Sequence, residues 1–276
     1  MNTSIIKNYS KLKFSLYFLP LFCLAAVVLF LYYENALSVY NYAQIQKSTF
    51  LYINSHLGLY PNLQYNLTQL GDASIFLSFL ALFVIYGPKL WEALLSGLLF
   101  SLLLSCPLKA IFAVPRPAVI YNSEITCIMG RKLCGFNSLP SGHSIVVFTV
   151  LTIILFAFMP QRLKFKILWS VSIITIGLIL AFTRVGVGAH YPLDVITGSI
   201  LGYISGITGI FISRKYKIGA WINNDRYYPI FMALFIICCI CLIEKIIREN
   251  LIIYYLSFIS LAVSLYKITY VYLKKK

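Results

Sequence analysis

The chain has 276 residues, of which 60% are hydrophobic and 11% are charged, and its mean hydropathy is +0.85. A soluble domain carries about a quarter charged residues, so this composition excludes an ordinary soluble protein and indicates a polytopic membrane protein. The formal net charge of +15 does not indicate nucleic-acid binding, because the basic residues are scattered between apolar runs. They are better explained as topology signals and as contacts with anionic lipid headgroups.

Taken in chain order, the apolar runs predict an all-α, polytopic membrane helical bundle. A bilayer core requires about twenty apolar residues per helix, and about eight runs approach that length. Each should be helical, since lipid requires every backbone polar group to be satisfied internally. The approximate ranges are 14–32, 73–88, 90–113, 143–159, 167–183, 193–213, 229–245 and 251–271. We divide the chain into a membrane core, residues 1–217, and an extra pair of transmembrane helices, residues 218–276.

The distribution of basic residues predicts the orientation. With the N-terminus inside, fifteen of the 23 Lys and Arg residues fall on the cytoplasmic side and eight on the outer side. The positive-inside rule therefore predicts that both termini are cytoplasmic.

The longest outer segment is residues 33–72, in which aromatic side chains recur among polar ones. This pattern is expected of an element in the headgroup region. It can border a lipid access route or be a plain connecting loop, and the sequence leaves both open. We interpret His56, in this segment, as a surface histidine without a catalytic role.

Small residues also carry information. Gly198, Gly202 and Gly206 recur every fourth residue in the sixth span, which predicts close packing against a neighbouring helix. The seven cysteines show no metal-ligand spacing, and we interpret the group at 238, 239 and 241 as packing residues.

Pro140-Ser141-Gly142-His143 lies between a polar loop and a long apolar run. A helix beginning there would direct free backbone N–H groups towards an anion, and His143 could donate a proton beside it. Taken alone, Ser-Gly before a helix is more often a simple cap.

Basic residues gather near the same face. Lys109, Arg116 and Arg184 either meet a multiply charged anion or extend independently to the surface, as basic residues at helix ends commonly do. His190 and Asp194 flank Pro192, which suits a first helical turn. The carboxylate can orient the imidazole for nucleophilic attack, or it is only a favourable acid at a helix N-terminus.

Together these residues form three patterns with a fixed order: Lys109 followed after six residues by Arg116-Pro117, then Pro140-Ser141-Gly142-His143, then Thr183-Arg184 followed by His190 and Asp194. This series closely resembles the signature of the type-2 phosphatidic acid phosphatase superfamily. It departs at Thr183, where that family usually has Ser, although the hydroxyl is kept.

The resemblance implies an integral-membrane phosphatase with a six-helix catalytic core. His190 would be the nucleophile that forms a phosphohistidine, Asp194 would orient it, and His143 would protonate the leaving oxygen and then activate water. The phosphate would be held by Lys109, Arg116, Ser141, Gly142, Thr183 and Arg184. Stabilisation of the transition state would then be mainly electrostatic. No metal or cofactor is implied, because the sequence does not cluster carboxylates or cysteines as ligands.

The expected partners are bilayer lipids and a lipid mono- or diphosphate: undecaprenyl diphosphate, phosphatidic acid, phosphatidylglycerol phosphate or a lipid A-type phosphate. The expected location is a bacterial inner membrane with the site on the outer face, without an obligatory protein partner. A lipid phosphotransferase is the nearest alternative. A transporter is a weaker one, because its charges should lie near the bilayer midplane. A haloperoxidase with a similar site is disfavoured because such enzymes are soluble.

The outer loop 118–139 contains Cys127 and Cys134. That face would be oxidising outside a cell or in a periplasm, and Gly130 and Gly135 let the chain bend. We therefore predict a disulfide between the two cysteines, with two free thiols as the nearly equal alternative.

Overall fold

The computed structural model describes residues 1–121, 125–216 and 218–275, and every regular element in these ranges is helical, which confirms the predicted class. The first helices are α1 (Asn2–Ser10), α2 (Phe18–Tyr33), α3 (Val39–Ile45), α4 (Lys47–Gly58), α5 (Pro61–Thr68), α6 (Ala73–Phe79) and α7 (Phe83–Tyr86). The others are α8 (Pro88–Phe112), α9 (Pro117–Ile120), α10 (Gly142–Ala157), α11 (Leu163–Gly186), α12 (Pro192–Lys215), α13 (Tyr228–Glu249) and α14 (Ile252–Lys275).

The molecule is an integral membrane bundle. Six segments of the described chain are helices long and apolar enough to cross a membrane: Phe14–Tyr33, Pro88–Ile120, Leu163–Gly186, Pro192–Lys215, Asp225–Glu249 and Ile252–Lys274. The shorter apolar helix α10 stands among them. Each predicted run except 73–88 therefore coincides with a helix, whereas α1 was not anticipated.

The predicted span 73–88 is not one helix but two short ones, α6 and α7. The Leu80 carbonyl accepts from Phe83 N–H (3.0 Å) and from Trp91 Nε1 (2.9 Å), and the Ser78 carbonyl accepts from Ala81 N–H (3.3 Å) and from Ser260 Oγ (2.9 Å). Such interruptions are tolerated where neighbouring helices satisfy the backbone. The interrupted segment still connects the two ends of the bundle, because Gly71 packs against His143 and Gly87 against Ile5.

The core of the bundle is a close crossing of α8, α10 and α12. A Cβ added to Gly202 would lie 2.5 Å from the Ile145 carbonyl oxygen, and one added to Gly209 would lie 2.5 Å from the Gly97 nitrogen. Gly198 and Gly206 contact the same face of α10. The predicted close packing along this glycine series is confirmed.

The bundle has two distinct ends. At the motif end, α8 and α11 finish and α10 and α12 begin, and Ser141 N–H donates to the Asp194 carbonyl (3.0 Å). At the opposite end, Asn8 Nδ2 donates to the Ala157 carbonyl (2.9 Å), which attaches α1 to the end of α10. The N-terminus therefore lies away from the motif end.

The segment that follows α2 covers the motif end. It is neither extended nor irregular, since α3, α4 and α5 occupy most of residues 39–68. Several of its polar side chains are buried against α11 and α12. His56 is exposed, as predicted.

The C-terminal helices α13 and α14 pack on each other, and α14 also packs on α6. Lys245 bonds to Asp72 (2.8 Å), where burial favours a higher pKa for the carboxyl group but the bonds from Lys245 and Ser74 outweigh it and lower that pKa. The division of the chain at residues 217 and 218 stays a prediction, and residue 217 lies outside the described residues.

Candidate active site

His190 and Asp194 form the most enclosed part of the motif end. The His190 imidazole is 1% exposed and Asp194 is 0% exposed. His190 Nδ1 lies 3.4 Å from Asp194 Oδ2, the arrangement predicted from the sequence. Asp194 stands in the first turn of α12, where its Oδ2 also accepts from the backbone N–H of Tyr191 (3.0 Å). The same carboxylate therefore caps the helix and faces the imidazole.

Two side chains that the sequence patterns did not single out complete the environment of Asp194. The Tyr42 hydroxyl donates to Asp194 Oδ1 (2.7 Å), and Ser138 Oγ donates to Oδ2 (2.5 Å). Both residues are buried. Because a carboxylate accepts hydrogen bonds on both oxygens, these donors fix its orientation on either side.

The contacts of His190 assign its tautomer. The ionised carboxylate only accepts, so Nδ1 carries the proton and Nε2 keeps its lone pair. Arg116 Nη1 lies 3.4 Å from Nε2. Burial, followed by the charges of Arg116 and Arg184, holds the pKa of His190 well below its usual value. The imidazole is therefore neutral near pH 7, which nucleophilic attack through Nε2 requires.

A tight turn between α11 and α12 places His190 just before the first residue of α12. Gly188 has a φ of 74°, in the left-handed region, and a Cβ there would lie 2.6 Å from the Cys127 carbonyl oxygen. Glycine is therefore needed for conformation and for space. Asn54 joins both sides of this turn, donating to Cys127 O (2.9 Å) and to Gly186 O (3.0 Å).

Arg116 is held between two loops. Its Nε donates to Asn137 Oδ1 (2.8 Å), and its Nη1 donates to the Ala189 carbonyl (3.3 Å). Its backbone N–H donates to Gly135 O (2.9 Å). The guanidinium is thus fixed beside His190 without a carboxylate partner of its own among these contacts.

Arg184 and His143 line a cavity of about 200 Å³ next to the His190 loop. Arg184 is 7% exposed, and its Nη1 donates to Thr68 Oγ1 (2.9 Å), yet its buried Nε has no hydrogen-bond partner among the described residues. His143 is pressed against Gly71, where an added Cβ would lie 2.5 Å from the imidazole Cδ2. This part of the site leaves a buried cation incompletely satisfied.

The side chain of Lys109, from the last turn of α8, reaches the start of α10. A Cβ added to Gly142 would lie 3.4 Å from Lys109 Nζ, so the ammonium group is close to the Gly142 backbone. Ser141 Oγ accepts from Ser144 N (3.4 Å) and from Ser144 Oγ (2.9 Å). Ser141 is therefore a helix cap, as the simpler interpretation held, while its own hydroxyl proton is not used in these two bonds.

The charge balance favours an anion. Lys109, Arg116 and Arg184 bring three cationic groups to the motif end, against the carboxylate of Asp194, and nearby Asp72 is paired with Lys245. Buried charge without compensation is costly. A phosphate would supply acceptors for the unpartnered Arg184 Nε and for the ammonium of Lys109.

Two sequence-based expectations fit less well. The Thr183 hydroxyl donates to the Leu180 carbonyl within its own helix (2.5 Å), so it does not face the other site residues through that bond. The expected disulfide is not formed, because Cys127 and Cys134 are both free. Cys127 instead packs against Gly58, with its backbone N–H bonded to Asn54, while Cys134 is exposed.

Comparison with known proteins adds one decisive match: residues 90–218 fit the PAP2 superfamily. Those residues form a PAP2 superfamily domain. The PAP2 domain contains all three sequence patterns, and it does not include Tyr42, Asn54 or Thr68, which complete the site from outside the matched range.

The chain is also similar in sequence to individual proteins of known description. The chain is 34% identical over 154 residues to the lipid A 1-phosphatase of Rhizobium etli, covering 52% of this chain and 62% of that protein. It is 29% identical over 138 residues to the undecaprenyl-diphosphatase of Sulfolobus acidocaldarius, covering 49% and 62%. These matches span less than two thirds of the length of either relative.

A solved structure shares the fold. The crystal structure of Aquifex aeolicus LpxE matches with a TM-score of 0.50 and 23% sequence identity, covering 60% of this chain and 95% of that one. At this identity the likeness supports the architecture of the bundle alone.

Proposed function

We propose that this protein is a membrane phosphatase that removes phosphate from a lipid mono- or diphosphate through a phosphohistidine on His190. The observation that carries the proposal is the position of His190, whose Nε2 faces Arg116 while Nδ1 faces Asp194. It lies beside a cavity lined by Arg184 and His143. A nucleophile, an acid and phosphate ligands are thus present together.

In the first step, His190 Nε2 forms a bond to phosphorus, and the bond from phosphorus to the leaving oxygen breaks. The negative charge of the bound phosphate favours the protonated form of His143, which gives its proton to that oxygen. Lys109, Arg116 and Arg184 stabilise the charge on the equatorial oxygens. In the second step, water attacks phosphorus, the N–P bond breaks, and His143 takes the proton from water, so that inorganic phosphate leaves.

The substrate class is supported by the position of the site and by the relatives. The residues lie at one end of a bundle of membrane-spanning helices, where a lipid headgroup is available. Two relatives are described as a lipid A 1-phosphatase and an undecaprenyl-diphosphatase. A lipid A-type phosphate and undecaprenyl diphosphate are therefore tested first, followed by phosphatidic acid and phosphatidylglycerol phosphate.

We further propose that the site faces the outer side of a bacterial inner membrane and that both termini are cytoplasmic. This orientation agrees with the excess of basic residues assigned to the inner side and with the position of α1 at the end of the bundle away from the site. Labelling of single introduced cysteines at the termini and in the 125–138 loop, in intact cells, tests it.

The chemical experiment is to trap the intermediate. Purified protein is mixed with each lipid labelled in its phosphate and quenched in alkali, which preserves phosphohistidine. We expect label on the wild-type protein and on a His56→Ala control, and none on His190→Ala. Turnover without any trapped label in rapid-quench samples, or label that persists in His190→Ala, would contradict the mechanism.

The same reactions separate hydrolysis from transfer. Release of labelled inorganic phosphate supports the phosphatase, whereas label that appears only on an added acceptor lipid supports a phosphotransferase. Inclusion of EDTA tests the expectation of metal-independent chemistry, because restoration of lost activity by added divalent ions would show that a metal takes part. Vanadate should compete with the substrate for the cationic site.

A further inference from the structure

A second, larger cavity extends along the bundle from the level of Ile196, near the start of α12, to the end opposite the active site. It is a groove of about 810 Å³ between α2, α10, α11 and α12, and none of its lining residues lines the cavity beside His143. Its walls are mainly apolar, with Leu19, Leu151, Leu155, Ile173, Ile174 and Leu178 among them. Cavities that bind hydrophobic ligands have volumes of about 300–1,000 Å³.

The groove exists because α2 is attached to the bundle mainly along one side. Just before α2, Phe14 stacks on Phe211 with ring centroids 4.6 Å apart, and the Tyr17 hydroxyl bonds to Thr208 Oγ1 (2.9 Å). Both contacts are with α12. The α2 helix itself also packs on α12. The α2 helix therefore forms a separate wall opposite α10 and α11, and the space between them opens within the membrane-spanning part of the bundle.

One end of the groove is strongly basic. Lys11, Lys13 and Lys166, which we call the lysine rim, line it at the end opposite the active site. The ion pairs formed by the described residues involve other side chains. The rim thus carries three positive charges, without a carboxylate from those pairs, next to an apolar cavity.

The rim is built into the fold. Lys11 Nζ donates to Gln161 Oε1 (2.7 Å), and Gln161 Nε2 donates to Asn8 Oδ1 (3.1 Å). Asn8, in turn, is buried and bonded to the end of α10. Arg214 Nη1 donates to the Leu12 carbonyl (3.0 Å), which holds the chain between the first two lysines.

We propose that this groove binds an anionic phospholipid from the leaflet opposite the active site, with an acyl chain between α2 and α11 and its phosphate at the lysine rim. The apolar walls require a hydrocarbon chain, and the rim requires negative charge. Basic pockets between transmembrane helices are suited to such lipids. The bound lipid is not a substrate, because its phosphate lies at the end of the bundle away from His190.

The test uses the full-length protein in mild detergent and measures retained lipid by native mass spectrometry. Phosphatidylglycerol has no terminal phosphate to hydrolyse, so it reports on the groove and not on turnover. We expect it to be retained at least about tenfold better than phosphatidylcholine, since three lysines each contribute roughly 1 kcal/mol. The soluble headgroup glycerophosphoglycerol should not compete, because it lacks the chain that the apolar walls bind.

Matched variants separate the rim from the general surface charge. Lys13→Gln and Lys166→Gln should each weaken retention by about fivefold, as loss of ~1 kcal/mol implies. Lys164→Gln should not, because Lys164 is exposed on the same helical turn but lies outside the groove.

A second pair of variants tests the apolar cavity. Ser170→Trp, which projects into the groove, should reduce retention, whereas Ser172→Trp should not. Equal retention of phosphatidylcholine, competition by the free headgroup, or equal effects of Lys164→Gln and Lys166→Gln would overturn the proposal. His190→Ala should retain lipid normally.

Discussion

On one side of the active site, the Asp194 carboxylate receives bonds from Tyr42, Ser138 and the Tyr191 backbone and also faces His190. On the other side, Arg184 bonds to Thr68, while its buried Nε has no hydrogen-bond partner in the part of the chain that the structure describes. We call these the aspartate half and the arginine half. The first is satisfied without a ligand, whereas the second is a buried cation next to an open cavity.

This difference indicates separate roles. A fully bonded carboxylate gains rigidity and keeps His190 in one tautomer before the substrate arrives. An unsatisfied guanidinium is destabilising until an anion enters. The aspartate half should therefore contribute to both stability and catalysis, whereas the arginine half should contribute to catalysis at some expense of stability.

The largest effect is expected from Asp194→Asn. An amide offers one acceptor oxygen to donors that now share a carboxylate, and it no longer fixes the His190 tautomer. Activity should fall by about 10⁴-fold, and the thermal midpoint in detergent should fall by at least roughly 2–4 °C, equivalent to ~1 kcal/mol. Phosphate release and a thermal scan measure both. A variant that stays active or fully stable would show that the aspartate half does not make the proposed contribution to catalysis or to stability.

Arg184→Gln should give the opposite pattern in stability. Loss of one phosphate ligand should reduce kcat/KM by about 10²–10³-fold, yet the thermal midpoint should be unchanged or higher, because a buried charge is removed. Vanadate should raise the midpoint of the wild type more than that of the variant. If Arg184→Gln destabilises the free protein as much as Asp194→Asn does, the two halves do not differ as proposed.

The sequence predicted the central residues of both halves but not their distant partners, for a physical reason. His190, Asp194 and Arg184 were singled out because their spacing resembles a known family signature, and the long apolar runs predicted seven of the fourteen described helices, α2, α8 and α10–α14. Tyr42 contacts Asp194 across 152 positions, and such pairing depends on how α3 folds over the motif end. The tyrosine was visible only as one of several aromatic residues in an outer segment, where nothing distinguished it from exposed Tyr52.

The interrupted helix at 73–88 and the unformed disulfide have a similar origin. The hydropathy of 73–88 is that of a span, but it cannot show that Trp91 and Ser260 will satisfy carbonyls outside the helical pattern. The spacing of Cys127 and Cys134 permits a small ring. It does not show that Asn54 and Gly58 hold Cys127 elsewhere.

Tyr42→Phe sharpens the comparison within the aspartate half. It removes one hydroxyl that donates to a buried carboxylate, an interaction worth about 1.5–3 kcal/mol, and keeps the aromatic ring. The thermal midpoint should fall by roughly 2–4 °C for each kcal/mol lost, with a smaller loss of activity than in Asp194→Asn because Ser138 and Tyr191 still hold the carboxylate. Tyr52→Phe, at an exposed position of the same segment, should change neither quantity.

The smallest effect expected is a shift in pH dependence that links the two halves through His190. Burial first, and then the charges of Arg116, Arg184 and Lys109, lower the pKa of His190, so the neutral nucleophile persists below the usual titration range of histidine. Removing one cation with Arg116→Gln should raise that pKa, and the acid limb of kcat/KM should move to higher pH. Ionisation of the substrate phosphate is common to all variants and cancels when they are compared on one lipid.

Arg131→Gln is the control for this shift. Arg131 lines the cavity, but it is exposed and is not among the charges that lower the His190 pKa. An acid limb that stays in place in Arg116→Gln, or that moves equally in Arg131→Gln, would show that protonation of another group limits the reaction.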